Sequence, residues 1–141
     1  MREEIKDLVK YRLQRANETF DEARLLFKEG KYAGAINRLY YACFYATLAL
    51  LVTKELRSSK HSGVLALFNK EFVKSGLFPK EVAKIFNELF NLRLEEDYKD
   101  FYTSPTEKEM KRLLKGAEIF INRAEKFIHK LTEQPKKTNT N

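Results

Sequence analysis

Arg93 stands where an apolar pattern turns ionic. At about 100° per residue along an α-helix, Val82, Phe86, Leu89 and Arg93 fall on one line, which Asp97 and Asp100 continue. A guanidinium aimed along a buried stripe requires a carboxylate, a backbone carbonyl or a bound anion. Two readings follow: an Arg93–Asp97 pair at four-residue spacing, worth about 0.2–0.5 kcal/mol when exposed, or a grip on phosphate, which arginine's planar fork suits. His61 presents a similar choice. It precedes Leu65 and Phe68 on one helical face, so it is either a packed or capping residue, or a general base or phosphate ligand. Asn37, Arg38, Tyr41 and Tyr45 lie close together in an apolar run from Ala35 to Ala46 that also holds Tyr40. Arginine beside aromatics stacks on and neutralises single-stranded nucleic acid. The bland alternative is that at least two of the three tyrosines are core residues with satisfied hydroxyls.

These residues need helices to hold them, and the spacing supplies helices throughout, with almost no strand signal. Residues 3–28 place Ile5, Leu8, Ala16, Phe20, Ala23 and Phe27 at three- and four-residue steps, and Gly30 follows where a glycine stop belongs. Residues 32–56 form the tyrosine-rich helix, apolar on nearly every side and therefore central. Residues 60–75 carry Val64, Leu65, Phe68, Phe72 and Val73 on one stripe. Pro79 is expected in the first turn of the Arg93 helix. The last helix opens at Ser104-Pro105-Thr106-Glu107, read as a capping box with proline at the first helical position, and its stripe runs from Met110 through Leu113, Leu114, Ala117, Phe120, Ala124 and Phe127 to Leu131. His129 is expected on the surface, where its cation complements the dipole. The fold class is all-α: an up-and-down bundle of four long helices and one shorter one. One domain is expected over 1–133, with a disordered polar tail over 134–141.

Composition narrows the function classes. Residues 31–78 carry seven basic and two acidic groups and residues 105–141 nine and five, so two segments are basic within a chain of net charge +7. Neighbouring basic segments attract polyanions, while a lysine-rich solvated surface accounts for the same numbers. The lone cysteine, Cys43, reads as a small buried hydrophobe and gives no disulfide framework. There is no Glu-x-x-His pair for a di-iron bundle, two histidines and one cysteine set far apart make no zinc site, and five scattered glycines make no phosphate loop. No metal or cofactor is therefore expected. The N-terminal residues Met1 to Lys6 lack an apolar signal core. The longest uncharged stretch, Leu39 to Thr53, has 15 residues, short of the about 20 that span a bilayer, so a soluble cytoplasmic protein without a membrane partner is expected.

The residues Ala35-x-Asn37-Arg38-x-Tyr40-Tyr41-Ala42-x-Phe44-x-Ala46, then Lys60-His61-Ser62-Gly63-Val64 with Phe68 and Phe72, then Arg93 followed by Asp97-Tyr98, make the chain resemble a HEPN domain over roughly residues 5–130. The resemblance implies a four- or five-helix bundle, a homodimer, and a minimal nucleotidyltransferase as the antitoxin partner. Active relatives are metal-independent RNases whose motif is arginine, four to six residues, then histidine, in a dimer cleft. This sequence departs from that motif: no histidine follows Arg93, Leu94 stands next to it, and Tyr98 takes the histidine's place. With a pKa near 10, a tyrosine is a poor base at neutral pH.

Three functions are compatible with these residues. One is a nucleotide- or RNA-phosphate-binding module using Asn37, Arg38, Tyr41, His61, Arg93, Asp97 and Tyr98. Another is an RNase in which His61 replaces the missing histidine and Arg93 stabilises phosphate charge. A third is a dimerisation scaffold for a nucleotidyltransferase. Related toxins are silenced by nucleotide transfer onto tyrosine, which makes Tyr98 and Tyr102 targets to consider.

Overall fold

The computed structural model describes residues 1–98 and 104–133. Five helices follow in order: α1 (Glu3–Lys28), α2 (Tyr32–Thr53), α3 (His61–Phe68, continued by a π-helical turn over Asn69–Val73), α4 (Lys80–Tyr98) and α5 (Glu107–Thr132). No strand is present among the described residues.

The breaks between helices follow from local chemistry. After α1, Gly30 adopts φ 74°, the Gly30 amide donates to the Phe27 carbonyl and the Lys31 amide to Leu26, a left-handed cap that satisfies two orphan carbonyls. The same geometry ends α2 without glycine. Glu55 takes φ 55° while its amide and that of Leu56 donate to Val52 and Leu51. The second helix therefore stops three residues before the sequence reading placed its end, because nothing in Lys54-Glu55-Leu56 signals a stop. Pro79 lies one position outside α4, where its carbonyl accepts from the Ala83 amide at 3.0 Å. The start of α5 also moves inward. Thr106 is the N-cap, its hydroxyl accepts from the Glu109 amide at 3.1 Å, and Glu109 Oε1 lies 3.2 Å from that hydroxyl. The cap is thus Thr106, with Glu109 at the third helical position meeting its hydroxyl, and Pro105 precedes the cap rather than opening the helix.

The central position of α2 is observed: it packs against α1, α3, α4 and α5. By length and composition α2 could cross a membrane, but two-thirds (67%) of its most apolar window is buried inside the bundle, so its apolarity is consumed by the core. Phe68, Phe72, Phe78, Phe86 and Phe120 fill the space beside it, with ring centroids 5.1–6.1 Å apart along the Phe72–Phe68–Phe78–Phe120–Phe86 series. Gly116 lets α5 approach α4, since a Cβ there would stand 2.8 Å from Ile85 Cδ1. Two stripe residues read as core are on the surface: Leu8 is 40% and Leu131 38% exposed. Instead Ile121 and Ile128 complete the buried face of α5.

Candidate functional site

Between Leu39 and Leu51 every residue of α2 is buried except Tyr41, Tyr45 and Leu48. Of the three tyrosines only Tyr40 is fully buried, while Tyr41 and Tyr45 keep an exposed edge; the expectation that two would be core residues is corrected to one. Tyr40 is the keystone of the site. Its ring stacks on Phe86 of α4 at 5.8 Å and on Phe44 at 5.9 Å, and its hydroxyl lies 3.1 Å from His61 Nδ1.

The α2–α3 connection brings His61 to that hydroxyl. Ser58 Oγ accepts from the Lys60 amide at 3.3 Å and sits where a Cβ on Gly63 would go. Glycine at 63 therefore lets the Ser58–Lys60 turn close against the first turn of α3, and His61 starts that turn. Its ring centroid lies 4.4 Å from Phe44 and 5.7 Å from Tyr41, edge-on to the latter. His61 is thus a packed residue with a polar tie.

Arg93 arrives from α4. Its guanidinium carbon stands 5.0 Å from the Tyr40 ring centroid and 5.4 Å from that of Tyr41, both within cation–π range. Arg38, from the first turns of α2, stands 5.2 Å from the Tyr41 centroid. Asn37 Oδ1 accepts from Arg38 Nε and Nη2 at 3.1 and 2.8 Å, and Glu22 of α1 lies 3.6 Å away. One tyrosine ring therefore carries two guanidinium groups, with an imidazole at its edge. The structure brings Asn37, Arg38, Tyr41, His61 and Arg93 together. The backbone of Asp97 and Tyr98 belongs to the last turn of α4, but their side chains, like Tyr102 and the tail over 134–141, lie outside the described residues.

Protonation states follow from these surroundings. Burial first, and the Arg93 charge second, hold the His61 imidazole below the usual histidine value, so it is neutral at neutral pH. Burial pushes the Tyr40 phenol well above its ordinary value, against a smaller opposite pull from Arg93, so Tyr40 keeps its proton. A protonated, buried phenol has one donor to place, and His61 Nδ1, 3.1 Å away, is the acceptor within reach. With Tyr40 donating to Nδ1, the neutral imidazole carries its own proton on Nε2 and is a donor there. That tautomer suits holding an anion. A general base at Nε2 needs the opposite one, with Nδ1–H donating to Tyr40. Burial likewise raises the Cys43 thiol, which leaves it inert. Among the described residues no three His, Cys, Asp or Glu side chains gather where they could share a metal ion.

Sequence reasoning missed Tyr40 and Phe44 as the residues that orient His61. Their partner is 21 residues away for Tyr40, and no local pattern announces such a pairing.

An all-α bundle with an arginine–tyrosine–histidine cluster at the mouth of its central helix is the class of protein that the fold and site define. Comparison with known proteins agrees with it. Residues 9–127 match the HEPN domain family. A UPF0332 protein of Thermotoga maritima is 44% identical over 88% of this chain and 93% of its own length. A Methanocaldococcus jannaschii protein named as a candidate toxin, MJ0605, is 35% identical over 93% of each chain. A second protein of that organism with the same kind of name, MJ0142, is 35% identical over 82% of this chain and 78% of its own. The chain belongs to the HEPN domain family.

Proposed function

We propose that this chain is a toxin-type HEPN module that binds the phosphate of a nucleotide or RNA, acting as a homodimer paired with a minimal nucleotidyltransferase. The observation that carries the reading is the convergence of the Arg38 and Arg93 guanidinium groups on the Tyr41 ring beside His61. Guanidinium forks match phosphate oxygens, and in a partly desolvated site such charge-assisted bonds are the strong ones. Tyr41 offers a partly exposed ring on which a base can stack. His61, oriented by Tyr40, adds a neutral Nε2–H donor. The names of the two archaeal relatives supply the toxin part of the reading.

Anisotropy of a labelled single-stranded RNA with wild-type, Arg93→Ala and Arg38→Ala proteins tests it. Both substitutions should weaken binding, with a smaller salt dependence than wild type. Unchanged affinity in both removes the reading. Light scattering with and without a co-expressed nucleotidyltransferase tests the assembly; a monomer that never co-purifies with the partner contradicts that part.

A second reading, a metal-independent RNase with His61 as base and Arg93 stabilising phosphate charge, is favoured by one observation: the imidazole is kept neutral beside Arg93. RNA incubated in excess chelator should then be cut by wild type and not by His61→Ala or Arg93→Ala. Intact RNA with wild type rejects it.

A further inference from the structure

The side of α1 that faces away from the arginine–tyrosine cluster carries a second basic feature. Arg15 and Glu22 are the α1 residues that meet Tyr45 and Arg38. At about 100° per residue, the positions from Arg15 to Arg24 turn half-way round the helix. On that opposite side Lys6, Lys10, Leu13, Asn17, Phe20 and Arg24 succeed one another at steps of three and four. The stripe lies along α5, and the two helices are antiparallel: the end of α1 meets the start of α5, and its start meets the end.

Two grooves open along this seam. The first, of about 320 Å³, has Phe20, Phe27 and Leu114 as its floor. Arg24, Lys28, Lys111 and Lys115 stand at its rim. The second, of about 390 Å³, has Val9, Leu13 and Ile128 as its floor, with Lys6, Lys10 and His129 at its rim. A hydrogen bond from Asn17 Nδ2 to Glu125 crosses the seam between them. From Leu114 to Ile128 along α5, at 1.5 Å per residue, the two floors lie about 21 Å apart.

The floors are recessed and the cations outermost. Leu13, Phe27 and Leu114 are half-buried, and Val9, Phe20 and Ile128 are buried, whereas the lysines and Arg24 are exposed. Among the described residues one carboxylate lines either groove, Glu118, which Lys115 holds at 3.3 Å. Arg24 and Lys111 reach Asp21 and Glu107 of their own helices at 3.7 and 3.5 Å. Exposed pairs of this kind contribute under about 1 kcal/mol, weak enough for an incoming carboxylate to replace. Lys6, Lys10 and Lys28 have no ion-pair partner among the described residues. Surplus positive charge therefore flanks two apolar hollows on one line.

We infer that the α1–α5 seam docks an acidic amphipathic helix of another protein, with apolar side chains in both grooves and carboxylates among the rim lysines. The inference is independent of the phosphate-binding reading. The seam lies across α1 from the Arg38–Tyr41–Arg93 cluster and leaves that cluster free, including for the dimer contact of the proposed function. A partner helix of about 14 residues covers the distance between the floors, and seating its anchors between two helices is the helix-in-groove mode of recognition. An extended strand finds no sheet edge here, because α1 and α5 pair their backbone groups internally. Nucleic acid fits less well. The second floor has no aromatic ring, one face of Phe27 is covered by Tyr32 at 5.6 Å, and all the rim side chains but Arg24 and His129 are lysines, which lack the phosphate-matching fork. A flat bilayer does not reach apolar side chains set below lysine heads. A second copy of the chain would bring like charge against like.

The test is fluorescence anisotropy of the full-length chain with a labelled synthetic helix of about 18 residues, long enough to span both grooves. Leucines form one face of the peptide and glutamates flank them. One control peptide has serine for leucine, and another has lysine for glutamate. Wild type should bind the first peptide and neither control. Lys10→Glu and Lys28→Glu, exposed and one at each groove, should each weaken binding by about tenfold, since each sets like charges against one another. Lys84→Glu, exposed on α4, changes net charge equally and should leave the affinity unchanged. Arg93→Ala should also leave it unchanged, while the phosphate-binding reading expects that variant to lose RNA, so the two claims fail separately. No binding by wild type, binding that survives the loss of leucines, or equal weakening by Lys84→Glu overturns the inference. A response to only one of Lys10→Glu and Lys28→Glu overturns a helix that spans both grooves. Phosphatidylserine vesicles or single-stranded RNA held through Lys10 and Lys28 in place of the peptide would assign the seam to a membrane or a nucleic acid, and so overturn it too.

Discussion

Two arginines of this molecule live in opposite circumstances. Arg112 on α5 reaches across to Glu88 on α4 with two hydrogen bonds of 2.9 and 2.6 Å, a fork closed on its own carboxylate. Arg12, on α1, lines an apolar groove with a buried Nε that meets no acceptor. The first is a structural tie whose charge is already answered. The second, like Arg57 beside it, has no ion-pair partner among the described residues. An arginine's role is decided by the carboxylate across from it, which no single-sequence pattern reveals when that carboxylate comes from another helix.

That contrast can be broken or sharpened by substitution. The largest effect belongs to Tyr40, whose ring supports both His61 and Arg93. Tyr40→Ala should cost about 3–5 kcal/mol by chemical denaturation, as for other large buried aromatics, and a loss under 1 kcal/mol would show that the site does not depend on its buried floor. Thr19 isolates the buried-polar argument from ligand binding. Its hydroxyl is buried without a hydrogen bond, so Thr19→Val should stabilise the fold by about 1 kcal/mol, whereas a loss of that size would mean the hydroxyl is satisfied in solution. Arg112→Ala is the control for the two arginines. Its pair is exposed, so the change should lower stability by less than about 1 kcal/mol and leave oligonucleotide affinity untouched. Weakened binding in that variant would dissolve the distinction between the two arginines.

Glu55 offers a smaller test at the mouth of the groove. Its left-handed φ of 55° favours glycine, so Glu55→Gly should stabilise by up to about 1 kcal/mol, less the small contribution of the exposed contact to Arg2. A clear loss by thermal melting would show that the Arg2 contact outweighs the backbone strain. The last test is pH. Because the folded imidazole of His61 is held below the unfolded value of about 6.5, the unfolded chain binds the extra proton first. Stability from this group is therefore complete above about pH 6.5 and falls as pH drops toward the folded-state value. His61→Gln should remove that dependence from the melting profile. Anion affinity should move the other way, rising on acidification as the imidazole becomes a cation; an affinity that drops on acidification would contradict a binding role for His61.

Much of this was legible in the sequence. The helix periods, the central place of the tyrosine-rich helix and the Gly30 stop depend on spacing and on single residues, and the structure agrees with them. The errors lie where a three-dimensional partner or a rare backbone state decides. The stop at Glu55 uses a left-handed residue that is not glycine, and the α5 cap falls at Thr106 because its hydroxyl reaches the Glu109 amide. Within the site, interrupted apolar stripes point to Asn37, Arg38, Tyr41, His61 and Arg93, and the structure gathers the other four about Tyr41. Tyr40 as the anchor of His61 was not legible, because an apolar environment made it look like one more core aromatic. Arg12 was also missed: on α1 it reads as an ordinary charge until the groove beneath it is seen.

The most direct measurement is the affinity of single-stranded RNA for wild type, Arg93→Ala and Arg112→Ala at two salt concentrations. A cluster that grips phosphate gives strong loss in Arg93→Ala, a reduced salt slope in that variant, and no change in Arg112→Ala. Equal affinities and equal slopes in all three proteins would contradict the account, since the arginine at the tyrosine cluster would then do no more than the one locked to Glu88.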